Sequence, residues 1–203
     1  FSHIIANNRI VNNHVAVHFI RDDAKRIKFA DDREIHKMGM KKMIFVRHGK
    51  AEEYTGSGDY ERSLTTKGKT VSGKMARMLK QKIKDPYVLV TSPAFRAYET
   101  AVIFARILGY DTEKIILRES LYSPANLKSF AVITEELDEK YNTVILFGHN
   151  PSFTEIPDIL SISGCDIVPK SGIVSLSFKA ETWKEVFGEK GSVEFFLKPN
   201  EIL

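Results

Sequence analysis

One stretch constrains this chain more than any other: Met43, Ile44, Phe45 and Val46 run without a break into Arg47, His48 and Gly49. A short unbroken apolar run suits a strand buried on both faces. Gly49 then frees the backbone to turn. The stretch therefore predicts a cation and an imidazole at a strand's carboxyl end, the edge at which open α/β sheets bind ligands. An Arg beside a His there suits an anion and a nucleophile or proton carrier. Taken alone, the tripeptide is equally well read as a strand that ends in polar residues, and the rest of the chain must decide.

The same pattern recurs. Tyr87 to Thr91 reads as a second buried strand, followed by Ser92 and Pro93, a capping residue and a proline that open a helix and place Arg96 in its first turn. Phe95, Val102, Ala105 and Leu108 are expected on that helix's inner face, with Gly109 ending it. Ile115 to Leu117 reads as a short strand leading to Arg118 and Glu119; Ser123 and Pro124 repeat the cap-then-proline start before a helix marked by Leu127, Phe130, Ile133, Leu137 and Tyr141. Thr143 to Phe147 is a further buried strand, running into Gly148, His149, Asn150 and Pro151. Between the first two strands, Leu64 to Gly68 opens a helix whose apolar face is Val71, Met75, Met78, Leu79 and Ile83, opposite a basic face read as solvated. Pro157 should kink or split the helix after His149. Ile173 to Phe178 and Val193 to Leu197 alternate as closing strands.

Strand and helix alternating in this way predict a three-layer α/β/α fold, with a mostly parallel central sheet and one antiparallel edge strand. All parallel strands share a carboxyl edge, so Arg47, His48, Arg96 and His149 should meet on one rim. Two arginines and two histidines without an aspartate cluster point to phosphate and not to a metal. No metal or other cofactor is expected.

Composition narrows the rest. The chain has 203 residues, enough for one domain with an appendage, and a net charge of +4. Residues 1 to 42 hold nine Lys and Arg against five Asp and Glu, while residues 43 to 203 hold 21 of each. The basicity thus belongs to the first segment, which argues against a nucleic-acid-binding face on the domain. Residues 1 to 39 carry His3, His14, His18 and His36 without tight ligand spacing; they are read as an N-terminal extension, non-native or poorly ordered, ahead of a domain over 40 to 203. The single Cys165 permits no internal disulfide and suits a reducing compartment. No apolar run approaches the roughly 20 residues of a membrane helix. The expectation is a soluble, cytoplasmic monomer with no membrane and no nucleic-acid partner.

Arg47-His48-Gly49, the segment Ser92 to Arg96 with Thr100, and Gly148-His149 together resemble the motifs of the histidine phosphatase superfamily, also called phosphoglycerate mutase-like. Within it the chain looks most like the SixA-type phosphohistidine phosphatases. Asp59 and Arg62 stand five and two residues before Leu64, as in that subfamily; the 52 residues between Arg96 and His149 leave no room for the large cap of the mutases; and the ending Phe196 to Leu203 fits as well. The Trp-Glu-Gly signature of mutases is missing after Glu119, and Pro157 departs from the uninterrupted helix of the family.

The resemblance implies that His48 is the nucleophile, forming a phosphohistidine that water hydrolyses. Arg47, Arg62 and Arg96 would hold the phosphoryl oxygens, and His149, protonated against the anion, would add a donor. Arg47 and Arg96 should also depress the pKa of His48 by like-charge repulsion. The leaving group's proton would come from Asp59 or Glu119, Asp59 being favoured by the subfamily resemblance. Thr100 reads as helix packing and Ser171 as a turn residue. The substrate implied is a phosphorylated protein of the histidine phosphotransfer type; the alternatives are a small phosphate ester, handled by a phosphomonoesterase or mutase of the same superfamily, and a phosphate-binding module without turnover.

Overall fold

The computed structural model describes residues 39–53, 56, 58–122 and 124–199. The expectations for residues 1 to 38, for Ser123 as a cap and for the last four residues lie outside that set. Six strands form one sheet: β1 (Met40–Arg47), β2 (Tyr87–Thr91), β3 (Ile116–Leu117), β4 (Thr143–Gly148), β5 (Ile173–Lys179) and β6 (Ser192–Leu197), in the order β3-β2-β4-β1-β5-β6. Among the described residues, four helices, α1 (Thr66–Lys80), α2 (Phe95–Leu108), α3 (Leu127–Glu135) and α4 (Ser152–Leu160), cover it. β1, β2, β3 and β4 pair in parallel, while β5 pairs antiparallel with both β1 and β6. Antiparallel pairing therefore enters at β5, and β6 forms the edge.

The unbroken apolar strands do what that pattern requires. On β1, Met43 and Phe45 pack into one core with Phe130 of α3 and Phe153 of α4, whereas Ile44 and Val46 face the other way, into a core with Met75 and Leu79 of α1 and Phe104 of α2. β4 repeats the division, with Leu146 on the first side and Phe147 on the second. Strands buried on both faces and helices on each side make the α/β/α sandwich. The Phe45 ring meets Phe153 edge-on at 5.8 Å, and Phe104 meets Phe147 in the same way at 5.2 Å, a favoured geometry for aromatic pairs.

Several local expectations change. α2 starts at Phe95 with Ala94 as its N-cap residue and no side-chain cap; the Ser92 hydroxyl oxygen accepts from the Ala94 amide at 3.3 Å, just ahead of the helix. Phe95 is 46% exposed, and the inner face is formed by Ala97, Thr100, Ala101, Phe104 and Ala105, whose small members let the helix lie close to the sheet. α3 is capped by Asn126, whose side chain accepts from the Ser129 amide, and ends at Glu135; Leu137 and Tyr141 pack against the core from the turn beyond. Pro157 sits inside α4 without splitting it. A proline removes one amide donor, and the apolar side chains of Phe153, Ile156 and Leu160 keep this short helix on the core.

Gly148 closes β4 against α4: a Cβ placed there would lie 2.2 Å from the Phe153 ring. That ring is fully buried and packed against Phe45 and Phe130. Gly148→Ala should therefore destabilise the fold by about 1–3 kcal/mol, as overpacking does. A lower urea midpoint at unchanged denaturant slope is the expected result.

Candidate active site

The parallel strands deliver their ends to one rim. Arg47 is the last residue of β1 and pairs with Gly148, the last residue of β4, so His48 and His149 each come one residue past a strand end. The His48 amide donates to the Gly148 carbonyl at 3.0 Å, and the two imidazole centroids lie 5.0 Å apart. Arg96 reaches the same rim from the first turn of α2, after β2. Behind β1, the turn before β5 contributes its backbone: the Ser171 amide donates to the carbonyls of both Arg47 and His48 at 3.1 Å. Ser171 takes a φ of 60° to do so, a conformation uncommon outside glycine.

His48 is held in one tautomer. Its Nδ1 lies 2.7 Å from the Gly49 carbonyl oxygen, which can only accept, so in the neutral ring Nδ1 carries the proton and Nε2 keeps its lone pair. Burial first, then the charges of Arg96, Arg47 and Lys170, lower its pKa to about 4. The direction agrees with the sequence argument, but desolvation outweighs the arginines. Thr100 fixes the following turn: its hydroxyl oxygen accepts from the Gly49 amide at 3.1 Å while the hydroxyl donates to the Arg96 carbonyl at 2.7 Å. A Cβ on Gly49 would sit 2.7 Å from the Ser72 hydroxyl oxygen, which itself pairs with the Ser171 hydroxyl at 3.0 Å.

In the free site His149 is held neutral. Burial, the neighbouring His48 and Arg96 lower its pKa to about 3. Its Nε2 contacts the Ser92 hydroxyl at 2.9 Å, and its Nδ1 is buried without a partner among the described residues. Ser92, expected as a helix cap, is instead the residue that orients this ring.

The arginines differ in their partners. Arg47 donates from Nη1 to the Val168 carbonyl at 2.9 Å, and its Nε is buried and unpartnered among the described residues. Arg96 gives both terminal nitrogens to Asp59, one to its carbonyl at 2.6 Å and one to its carboxylate at 2.7 Å. Arg62 holds the other carboxylate oxygen at 2.7 Å and donates from Nε to the Glu52 carbonyl at 2.8 Å. Asp59 thus bridges two of the guanidinium groups, and those contacts, that to Arg62 foremost, hold its carboxyl below the ordinary carboxylate value. Glu119 is exposed and accepts from the Tyr60 hydroxyl at 3.3 Å. The structure brings Arg47, His48, Arg96, His149, Asp59 and Arg62 together, and sets Glu119 beyond them, linked through Tyr60.

Sequence reasoning overlooked Ser92 as the partner of His149, and it took Thr100 for packing. Both lie within the motif that carried the resemblance, and Thr100 stands one helical turn after Arg96, the spacing of a shared helix face. Tyr60 and Tyr122 were also overlooked; the rings meet edge-on at 5.0 Å, and Tyr122 meets His149 at 5.8 Å. Among the described residues, no three His, Cys, Asp or Glu side chains gather as a metal ion would require.

A sequence model of the histidine phosphatase superfamily (branch 1) matches residues 43–151, more than half of the chain. The chain belongs to that superfamily. No curated protein matches it by sequence. Among solved structures, this histidine phosphatase superfamily member is similar to one assigned as the phosphohistidine phosphatase SixA from Nakamurella multipartitia, with 18% identity, a TM-score of 0.69, and 79% of this chain and 97% of the other covered. It is similar to the protein histidine phosphatase SixA complexed with tungstate, with 21% identity, a TM-score of 0.68, and 80% and 99% covered. A mycobacterial glucosyl-3-phosphoglycerate phosphatase aligns at 15% identity and a TM-score of 0.51, covering 76% and 97%. At these identities the likeness is one of fold. Also among the described residues, no helix is long and apolar enough to cross a membrane.

Both imidazoles have folded-state pKa values below the ordinary 6.5. Protonation therefore favours the unfolded chain: the stability they confer is fully present above about 6.5 and is lost as pH falls toward about 4 for His48 and about 3 for His149. Urea midpoints measured across this window should drop with acidification, and His48→Gln should flatten the decline.

Proposed function

We propose that this superfamily member is a phosphatase that works through a phosphohistidine on His48, acting on phosphohistidine of a protein. The observation that carries the proposal is the fixed tautomer of His48, whose neutral Nε2 lone pair stands beside a second imidazole and a set of guanidinium groups. An imidazole that is neutral at physiological pH and cannot turn is an able nucleophile, and cations around it suit a phosphoryl group, whose transfer needs mainly positioning and charge neutralisation.

In this reading His48 Nε2 attacks phosphorus in line with the departing atom. The P–N or P–O bond to the leaving group breaks as the N–P bond forms, and water later cleaves the phosphohistidine to release phosphate and restore the ring. Arg47 Nε and His149 Nδ1, buried donors or acceptors without partners among the described residues, are groups that a bound oxyanion or its proton would satisfy. Asp59 supplies the leaving group's proton. In the resting site its carboxylate is occupied by Arg62 and Arg96; a phosphoryl dianion taking over those guanidinium groups removes the cause of its low pKa and lets it hold a proton. Glu119, engaged by Tyr60, is the less favoured acid. Residues 40 to 203 form the catalytic unit, with residues 1 to 39 an extension to it.

The reading as a small-ester phosphatase draws on one specific finding, the fold likeness to the glucosyl-3-phosphoglycerate phosphatase. A turnover panel separates the two. A phosphohistidine-bearing phosphotransfer domain, para-nitrophenyl phosphate, phosphoglycerates and sugar phosphates are assayed with wild type, His48→Ala and Asp59→Asn. Preference for the phosphohistidine protein, a loss of at least about 10³-fold in kcat with His48→Ala, and a loss of about 10²-fold with Asp59→Asn that is largest for poor leaving groups, are expected. Preference for a small ester moves the substrate and keeps the mechanism, whereas activity surviving in His48→Ala overturns the mechanism.

A further inference from the structure

From the row of rings that runs outward from the nucleophile, we infer that Tyr122 and Tyr60 form an aromatic wall that selects substrates whose leaving group is a flat ring. The inference rests on the phosphatase reading above and concerns the part of the substrate beyond phosphorus.

The row is continuous. His48 faces His149 at 5.0 Å, His149 meets Tyr122 at 5.8 Å with planes at 84°, and Tyr122 meets Tyr60 at 5.0 Å and 73°. The two tyrosines are half-buried, so each packs on one side and remains open on another. Their place relative to the reaction follows from Asp59. The proton donor must lie beside the departing atom, and both tyrosines adjoin it: Tyr60 is its chain neighbour, and the Tyr122 hydroxyl donates to its carboxylate at 3.4 Å. The tyrosine rings therefore flank the side from which the leaving group departs.

Two further contacts make the wall rigid. The Tyr60 hydroxyl donates to Glu119, at the start of a short 3-10 turn that continues through Leu121 to Tyr122. That turn is seated on the core by Leu121, which is 1% exposed. Tyr60 and Tyr122 thus come from two loops bound to each other, with Glu119 as the brace. A rigid aromatic surface favours a planar partner, because edge-to-face and offset ring contacts add to the apolar area buried. An imidazole leaving group from phosphohistidine, or a phenol, fits such a surface; a branched alcohol gains nothing comparable. Tyr122 and Tyr60 are accordingly specificity residues, and Glu119 positions Tyr60.

The test compares an aryl with an alkyl substrate, para-nitrophenyl phosphate against glycerol 2-phosphate, in wild type, Tyr122→Leu, Tyr122→Phe and Tyr60→Leu. Each variant is read as its aryl-to-alkyl ratio of kcat/KM relative to that of wild type. Phenylphosphonate and methylphosphonate serve as unreactive inhibitors to give the same ratio for binding alone. The expected result is a fall of about tenfold in the phosphonate binding ratio for Tyr122→Leu, a smaller fall for Tyr60→Leu, and a binding ratio within about twofold of wild type for Tyr122→Phe, which keeps the ring; the turnover ratio also registers loss of the hydroxyl that meets Asp59. Equal losses on aryl and alkyl compounds, or a Tyr122→Phe variant whose binding ratio falls as that of Tyr122→Leu does, would overturn the wall and leave the phosphatase reading standing. Wild type that turns over neither ester nor the phosphohistidine domain, and binds neither phosphonate, would overturn both.

Discussion

The parallel pairing of β1 with β4 is the contact from which the rest of the site follows. Its register sets Arg47 opposite Gly148, and the ladder continues one residue further through the bond from the His48 amide to the Gly148 carbonyl. Neighbouring strands lie about 4.8 Å apart, and the two imidazole centroids are 5.0 Å apart. The spacing of the histidines is thus the spacing of the sheet. Side-chain packing only orients the rings, through the Gly49 carbonyl for one and the Ser92 hydroxyl for the other. The antiparallel partner β5 adds what a parallel strand could not: its amino end lies at the same rim, so the turn holding Ser171 can brace the carbonyls of Arg47 and His48 from behind.

Much of this was legible in the chain because it depends on patterns that a sequence states outright. Unbroken apolar runs ending in Arg47-His48-Gly49 and Gly148-His149 announce buried strands with polar ends, and strand order then forces the ends together. Other features depend on choices between residues that look alike in sequence. Ser92 before Pro93 satisfies every rule for a helix cap, yet α2 begins three residues later and the hydroxyl goes to His149. Phe95 has the hydrophobicity of a core residue but falls on the outer side of a helix whose inner stripe is made of alanines and Thr100. Tyr60 and Tyr122 are 62 positions apart and carry no period or motif; only the fold makes them neighbours.

The protonation of the histidines illustrates why charge counting is insufficient. Sequence supplies the cations but not the depth at which they sit. For His48 desolvation and the arginines act in the same direction, so the expectation held in sign while its main cause differed. For His149 the expectation of an imidazolium assumed an anion beside the ring, and without one, burial and the neighbouring cation leave it neutral.

Asp59 has a consequence for the resting protein that is separate from any part it takes in turnover. Arg96 is 6% exposed, and a buried guanidinium without a counter-charge is costly. The side chain that answers it belongs to a short 3-10 turn and is itself 44% exposed, shared with Arg62. The scaffold therefore keeps this buried positive charge compensated by a carboxylate that belongs to the surface. The charge balance of this rim therefore rests on a turn at the surface and not on the sheet beneath it.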